Sequence, residues 1–247
     1  MENKKKKLVI VEEYKIKENK QYLLNNYMNL LNINFQRCVK GYHLINASSI
    51  NETMWEDLNT LIFTSSGIEV FSKSDGSHLS GMDIDSSIGK ISNKSAKYTN
   101  KKSFDISSYR LTTVCSEKKC GTSLEIIEEI NKRKNFDYYS FIVRDEITDK
   151  NNITYDWYLI PSNNNLLDPS SYDWVPMFGK RGKNKDTQIG WNTNEINGCK
   201  MSVTFSMSSQ LWIHIGITEE IKKYIVSTCT IVNKPSLNYI QLLDKLN

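Results

Sequence analysis

The segment Ser80-Gly81-Met82-Asp83-Ile84-Asp85 is followed, after a Ser-Ser-Ile-Gly turn, by Lys90-Ile91-Ser92-Asn93-Lys94-Ser95-Ala96-Lys97. The two stretches read as a β-hairpin. Side chains alternate along a strand, so Asp83 and Asp85 share one face of the first strand, and Ser92 and Lys94 one face of the second. Carboxylate oxygens hold a hard divalent cation, while an ammonium orients water and neutralises charge developing on a phosphate. Asp83, with Asp85 beside it and Lys94 across the hairpin, therefore suits metal-dependent phosphodiester hydrolysis. The same residues also suit a solvated hairpin whose charges face water.

A second constellation, Gly179-Lys180-Arg181-Gly182-Lys183-Asn184-Lys185, is followed by Thr187, Gln188 and Trp191. Its glycines permit close backbone approach. Lys180, Arg181, Lys183 and Lys185 suit a loop that tracks DNA phosphates, with Arg181 or Gln188 in reach of base edges. An exposed loop whose lysines serve solubility has the same composition. Ser202, Thr204, Ser206, Ser208 and Ser209 with Gln210 offer hydroxyls and an amide for groove contacts, or form the polar face of a half-buried strand. Arg110, beside Tyr109, suits a phosphate but takes no catalytic role in this reading. His43, His78 and His214 are remote from one another in sequence, and Cys115 and Cys120 have no second pair at ligand spacing, so no zinc site is expected. The sequence carries no phosphate-loop, dinucleotide-binding or serine-hydrolase pattern.

The elements that must position these groups follow from periodicity. Leu23, Leu24, Tyr27, Leu30 and Leu31 form the stripe of an amphipathic helix. Ser49-Ile50-Asn51-Glu52 reads as a capping box opening a second helix, with Met54, Trp55, Leu58, Leu61 and Ile62 on its apolar face and a stop near Gly67. Strands are expected at 68 to 72, at 82 to 86 after an Asp75-Gly76 turn, at 90 to 98 and at 104 to 112. A second capping box, Thr122 to Glu125, opens a helix that runs to about residue 134. Strands at 138 to 145 and 153 to 160 follow, the latter ended by Pro161. Residues 161 to 199 read as a loop-rich insertion, and two or three strands occupy about 200 to 232. Helices, a meander, a helix and further strands make an α+β protein.

At this point the chain resembles the PD-(D/E)XK nuclease family, and within it the type II restriction endonucleases. The helix at 51 to 64, strands at 68 to 72, 82 to 86 and 90 to 98, helix at 122 to 134 and strand at 138 to 145 are similar to that family's αβββαβ core, with one extra strand at 104 to 112. The resemblance covers about the middle 100 residues and implies Asp83 at the acid position and Ser92-Asn93-Lys94 in place of the (D/E)XK tripeptide. An alternative register uses Ser95-Ala96-Lys97, with Lys97 as the lysine. Ser92 departs from the expected acid, and members with Ser there recruit a Glu from the following helix, which implies Glu128. Asp85 is a further candidate to complete the metal site, with Glu69 and Glu56 behind it.

A chain of 247 residues, with Lys+Arg 32 against Asp+Glu 28 and a net charge of +4, permits a polyanion partner without demanding one. Any nucleic-acid surface must then be local. The five cysteines are odd in number and scattered, which favours reduced thiols over a disulfide framework. No apolar run approaches the roughly 20 residues of a membrane span, so a cytoplasmic protein with no membrane partner is expected. One domain is expected, made of a helical part (1–66), a catalytic core (67–146) and a strand-rich DNA-recognition part (147–247). The resemblance implies a site-specific, Mg2+-dependent endodeoxyribonuclease acting on double-stranded DNA as a homodimer. The competing expectation is a non-catalytic nucleic-acid-binding or virus/host interaction protein.

Overall fold

The computed structural model describes residues 2–246 except 75–80, 101, 117–120, 147, 150, 235 and 236, with the side chains of 2–22, 183, 207, 239 and 246 also outside the description. The Asp75-Gly76 turn, His78 and Cys120 therefore lie outside the described residues. Two helices come first, α1 (Glu2–Ile45) and α2 (Glu52–Ser65). The capping box expected at Ser49 to Glu52 does not form. Asn51 caps α2 instead, its side chain accepting from the Met54 N–H, and the Ser49 hydroxyl donates to Glu146. Either residue satisfies the N-cap preference, and Asn51 stands at the turn that the helix uses. The helix stops at Ser66 and Gly67, the latter at φ +82°.

The strands β1 (Val70–Lys73), β2 (Ile84–Ser86), β3 (Gly89–Thr99) and β4 (Ser103–Arg110) follow. Gly89 closes the β2–β3 turn at φ +129°, where a Cβ would also meet the Asp137 carboxylate at 2.8 Å. Then come α3 (Ser123–Arg133), with the expected Thr122–Glu125 capping box formed, β5 (Tyr138–Asp145) and β6 (Asn152–Pro161). The region 161–199 is not simply loop. It folds three short 3-10 turns and a hairpin of β7 (Trp174–Phe178) and β8 (Gln188–Thr193), whose mixed alternation and interior Gly and Pro concealed it. The chain ends in β9 (Lys200–Thr204), β10 (Gln210–Gly216), α4 (Glu219–Lys222), β11 (Ile225–Val232) and α5 (Tyr239–Leu246), the last helix not having been expected.

All eleven strands join one mixed sheet in the order β11-β6-β5-β3-β4-β10-β9-β8-β7, with β2 attached to β3 and β1 to β2. The protein is α+β. Among the paired strands of the described residues, only β3 and β5 run parallel, joined through β4 and α3, as parallel neighbours need a crossover. The edge strand β7 carries Pro176 opposite Trp191.

Apolar clusters fill both sides of the sheet. Leu31, Phe35, Trp55 and Phe63 of α1 and α2 pack on Ile91, Ile142, Trp157 and Ile231, while Ile126 and Ile130 of α3 pack with Phe104, Phe141, Val203 and Ile213. Being covered on both faces, β5 is apolar almost throughout, the pattern of a central strand. A buried polar network pins α2 to the sheet. The Asn59 amide donates to Asn93 Oδ1 (2.6 Å) and Ser140 Oγ (3.0 Å), which also accepts from Trp157 Nε1, while Trp55 Nε1 donates to the Ser140 carbonyl. Asn59→Ala leaves Asn93 Oδ1 without its donor and is expected to lower stability by about 1–3 kcal/mol, measured by urea denaturation.

Candidate active site

Strand β3 gives one whole edge to β5, from Ile91 to Lys97. Its other edge is divided: β2 pairs with residues 89–91, and β4 with residues 98 and 99. Between them the sheet forks, and the β3 segment 92–97 faces the gap. Asp83, just before β2, stands in this fork. Its Oδ2 accepts the Asn93 backbone N–H at 2.5 Å, so a side chain takes the place of a ladder partner. Lys94 donates from Nζ to Asn93 O at 2.8 Å and to Glu52 Oε1, on the first turn of α2, at 2.7 Å. Its side chain is only 14% exposed, against 43% for Glu52.

Charge in the fork is unbalanced. Burial is the first cause that raises the Asp83 carboxyl above its usual range, and Glu52 adds to the rise, while Lys94, the Asn93 N–H and the Ser92 hydroxyl oppose it. Glu56, one turn beyond Glu52, is also raised, first by burial and then by Asp83 and Glu52, with Lys94 again opposing. Three carboxylates thus share one ammonium, leaving about two negative charges when all are ionised. A divalent cation matches that excess. Among the described residues, no three His, Cys, Asp or Glu side chains gather into a group able to hold a metal ion. Magnesium ordinarily takes only one or two protein carboxylates, with water and phosphate filling its shell, so Asp83 with one further acid would be the kind of donor set this ion uses.

The other sequence candidates stand in the following places. Lys97 pairs with Glu146 at 2.9 Å. Asp85 stands half-buried opposite Lys90, and Glu128 is exposed on α3; the charges acting most strongly on Asp83 are Lys94 and Glu52. Glu69 is exposed before β1. Sequence reasoning missed Glu52 because it was assigned to the capping box, and ranked Glu56 low. Their i, i+4 spacing, which puts both acids on one helix face, was the available signal.

In the second constellation, Lys180, Arg181 and Lys185 are exposed at the tip of the β7–β8 hairpin, with the Lys183 side chain outside the described residues. Gly179 is required there because a Cβ would lie 2.0 Å from Asn184 O. Gln188 opens β8, half-buried, whereas Trp191 belongs to the core. Of the serines, Ser209 is buried and donates to the Cys115 carbonyl, and Ser206 and Ser208 are exposed. His43 is buried against Tyr155, and His214 bonds Asp105. No helix among the described residues is long and apolar enough to cross a membrane. Comparison with protein-family models, curated proteins and solved structures finds no match to this chain.

Removing the ammonium should expose the coupling. Lys94→Met is expected to raise the Asp83 and Glu56 carboxyl pKa values further, and Lys97→Met to leave them in place, followed by NMR of the side-chain carboxyl carbons. A raised folded-state carboxyl stabilises the fold below its unfolded value, and that contribution is lost as pH rises through the folded value. Asp83→Asn should therefore gain stability relative to the parent as pH rises through the Asp83 pKa, measured by urea midpoints across that range.

Proposed function

We propose that the protein is a metal-dependent endodeoxyribonuclease that cuts double-stranded DNA at a short site, like type II restriction enzymes. The observation that carries this reading is the meeting of Asp83 and Lys94 at the fork of β3, with Glu52 and Glu56 of α2 turned to the same charge cluster. The succession α2, β1, β2, β3, β4, α3, β5, with β3 and β5 parallel, supports the αβββαβ core with one extra strand that the sequence resemblance implied.

In this reading Asp83 with Glu56 or Glu52, rather than with Asp85 or Glu128, would hold Mg2+, and the ion would supply Lewis-acid stabilisation of the phosphate. The chain's own contribution is positional. The Asn93 N–H fixes Asp83 Oδ2, and the Ser92 hydroxyl also bonds the carboxylate, so the side chain is held in place at the fork. Burial and like charge keep the acids poised to accept positive charge. Lys94 leaves Glu52 to orient the attacking water and to meet the charge developing on the phosphate, while Asn93 O keeps its ammonium in line. The exposed Lys180, Arg181 and Lys185, with Lys183, hold phosphates of the duplex, and Gln188 lies within reach of bases. A self-complementary site calls for a two-fold partner, hence a homodimer.

The direct test is incubation with unmethylated phage DNA and magnesium. Discrete fragments are expected, and shifted but intact DNA would instead mark a binding protein without catalysis. Lys94→Ala and Asp83→Asn should each lower cleavage by at least about a hundredfold while retaining DNA binding, whereas Lys97→Ala should cut nearly as the parent does. Alanine at Lys180, Arg181, Lys183 and Lys185 together should flatten the salt dependence of binding by about 0.9 in log–log slope for each phosphate no longer neutralised, read by fluorescence anisotropy at several salt concentrations.

A further inference from the structure

Beyond the fork, one face of the sheet continues from β4 across β10 and β9 to β8. Register fixes what it carries. Ile106, Ile213, Met201 and Val203 point into the α3-side core, so their neighbours point the other way, toward the side on which α1 and α2 cover β3 and β11. There Ser107, Trp212, Ser202 and Asn192 stand opposite one another in a single row across the four strands. A second row runs Arg110, Gln210, Thr204 and Gly190. Gly190 admits no side chain, since a Cβ would meet Val203 O at 2.0 Å.

Apart from the exposed Arg110 and the buried Gly190, these residues are half-buried, yet several are not locked. Asn192 Oδ1, Thr204 Oγ1 and Trp212 Nε1 are shielded from solvent and have no hydrogen-bond partner, so each gains one if its side chain turns outward to an incoming group. Gln210 makes one long contact to Ser108 O at 3.4 Å. The rim is cationic: Arg110 and Lys200 are exposed, and the Lys180, Arg181 and Lys185 tip adjoins Gln188 at the end of β8. The acid on this face, Asp105, is bonded by His214 at 2.7 Å. Three inter-strand gaps of about 4.8 Å span roughly 14 Å, comparable with the ~12 Å major groove.

We propose that this face is the base-reading surface for duplex DNA, an inference that rests on the nuclease reading. Asn192 and Gln210 supply amides for base edges, Ser202 and Thr204 supply hydroxyls, and the cationic rim holds phosphates on either side. Its position explains how recognition couples to cutting. Strand β4 both forms one arm of the fork and carries the first residue of each row.

The test uses a shape-conserving triple variant, Asn192→Leu with Thr204→Val and Gln210→Leu, with folding checked by circular dichroism and thermal melting. Discrimination between the parent's cleavage site and unrelated duplex should fall at least about tenfold, with the salt slope of binding unchanged because phosphate contacts remain. Gln210→Leu alone serves if the triple variant does not fold, and should show a smaller loss of the same kind. A folded variant that keeps the parent's site preference would overturn this inference and leave the nuclease reading standing. A parent protein that neither cuts nor binds duplex DNA would overturn both.

Discussion

Strand β3 can pair along two edges, and it commits only one of them completely. Because β2 and β4 meet the other edge at opposite ends, the residues between them lack a strand on that side, and their backbone groups need other partners. Asp83 supplies one. A buried carboxylate is costly unless it accepts hydrogen bonds or faces a cation, and the fork provides both, through the Asn93 N–H and Lys94. The topology therefore creates the environment in which these charges can sit.

The second requirement is a rigid lid of acids above the fork, and α2 meets it through its interior. Asn59, Trp55 and Trp157 converge on Ser140, so the helix is registered against β3, β5 and β6 by directional bonds as well as by apolar packing. A helix held only by hydrophobic contact can slide by fractions of an ångström; one held also by directional hydrogen bonds loses them when it does. Glu52 and Glu56 inherit that precision. The arrangement concentrates like charge in a half-buried place, a local sacrifice of stability that the aromatic cluster beneath α2 offsets.

Much of this architecture was legible in the sequence where local and tertiary preferences agree. The Thr122–Glu125 box and the strand at 138–145 were placed correctly because capping chemistry and β-branched, aromatic composition pointed the same way. The side-by-side placement of Asp83 and Lys94 followed from hairpin alternation. The β7–β8 hairpin was hidden because Pro176, Gly179 and Gly190 are turn formers in isolation, and only the close approach of Val203 O shows why a glycine belongs inside a strand. The role of Glu52 was hidden for a different reason: one local motif can accommodate an acid whose real partner lies 42 residues away, a distance that spacing rules do not reach.

Pro176 on the outermost strand has a bearing on how the molecule behaves in a crowded solution. An eleven-stranded sheet ending in an open edge is a template on which further strands can accrete, the starting point of fibrillar aggregates. Proline has no N–H to offer a newcomer, and the irregular register beside it, between Met177 and Phe178, bends the strand away from the straight geometry that stacking demands. The exposed Val175 and Phe178 flanking it would otherwise make this the stickiest border of the fold. One imino acid thus removes a backbone donor from an edge where apolar residues lie open.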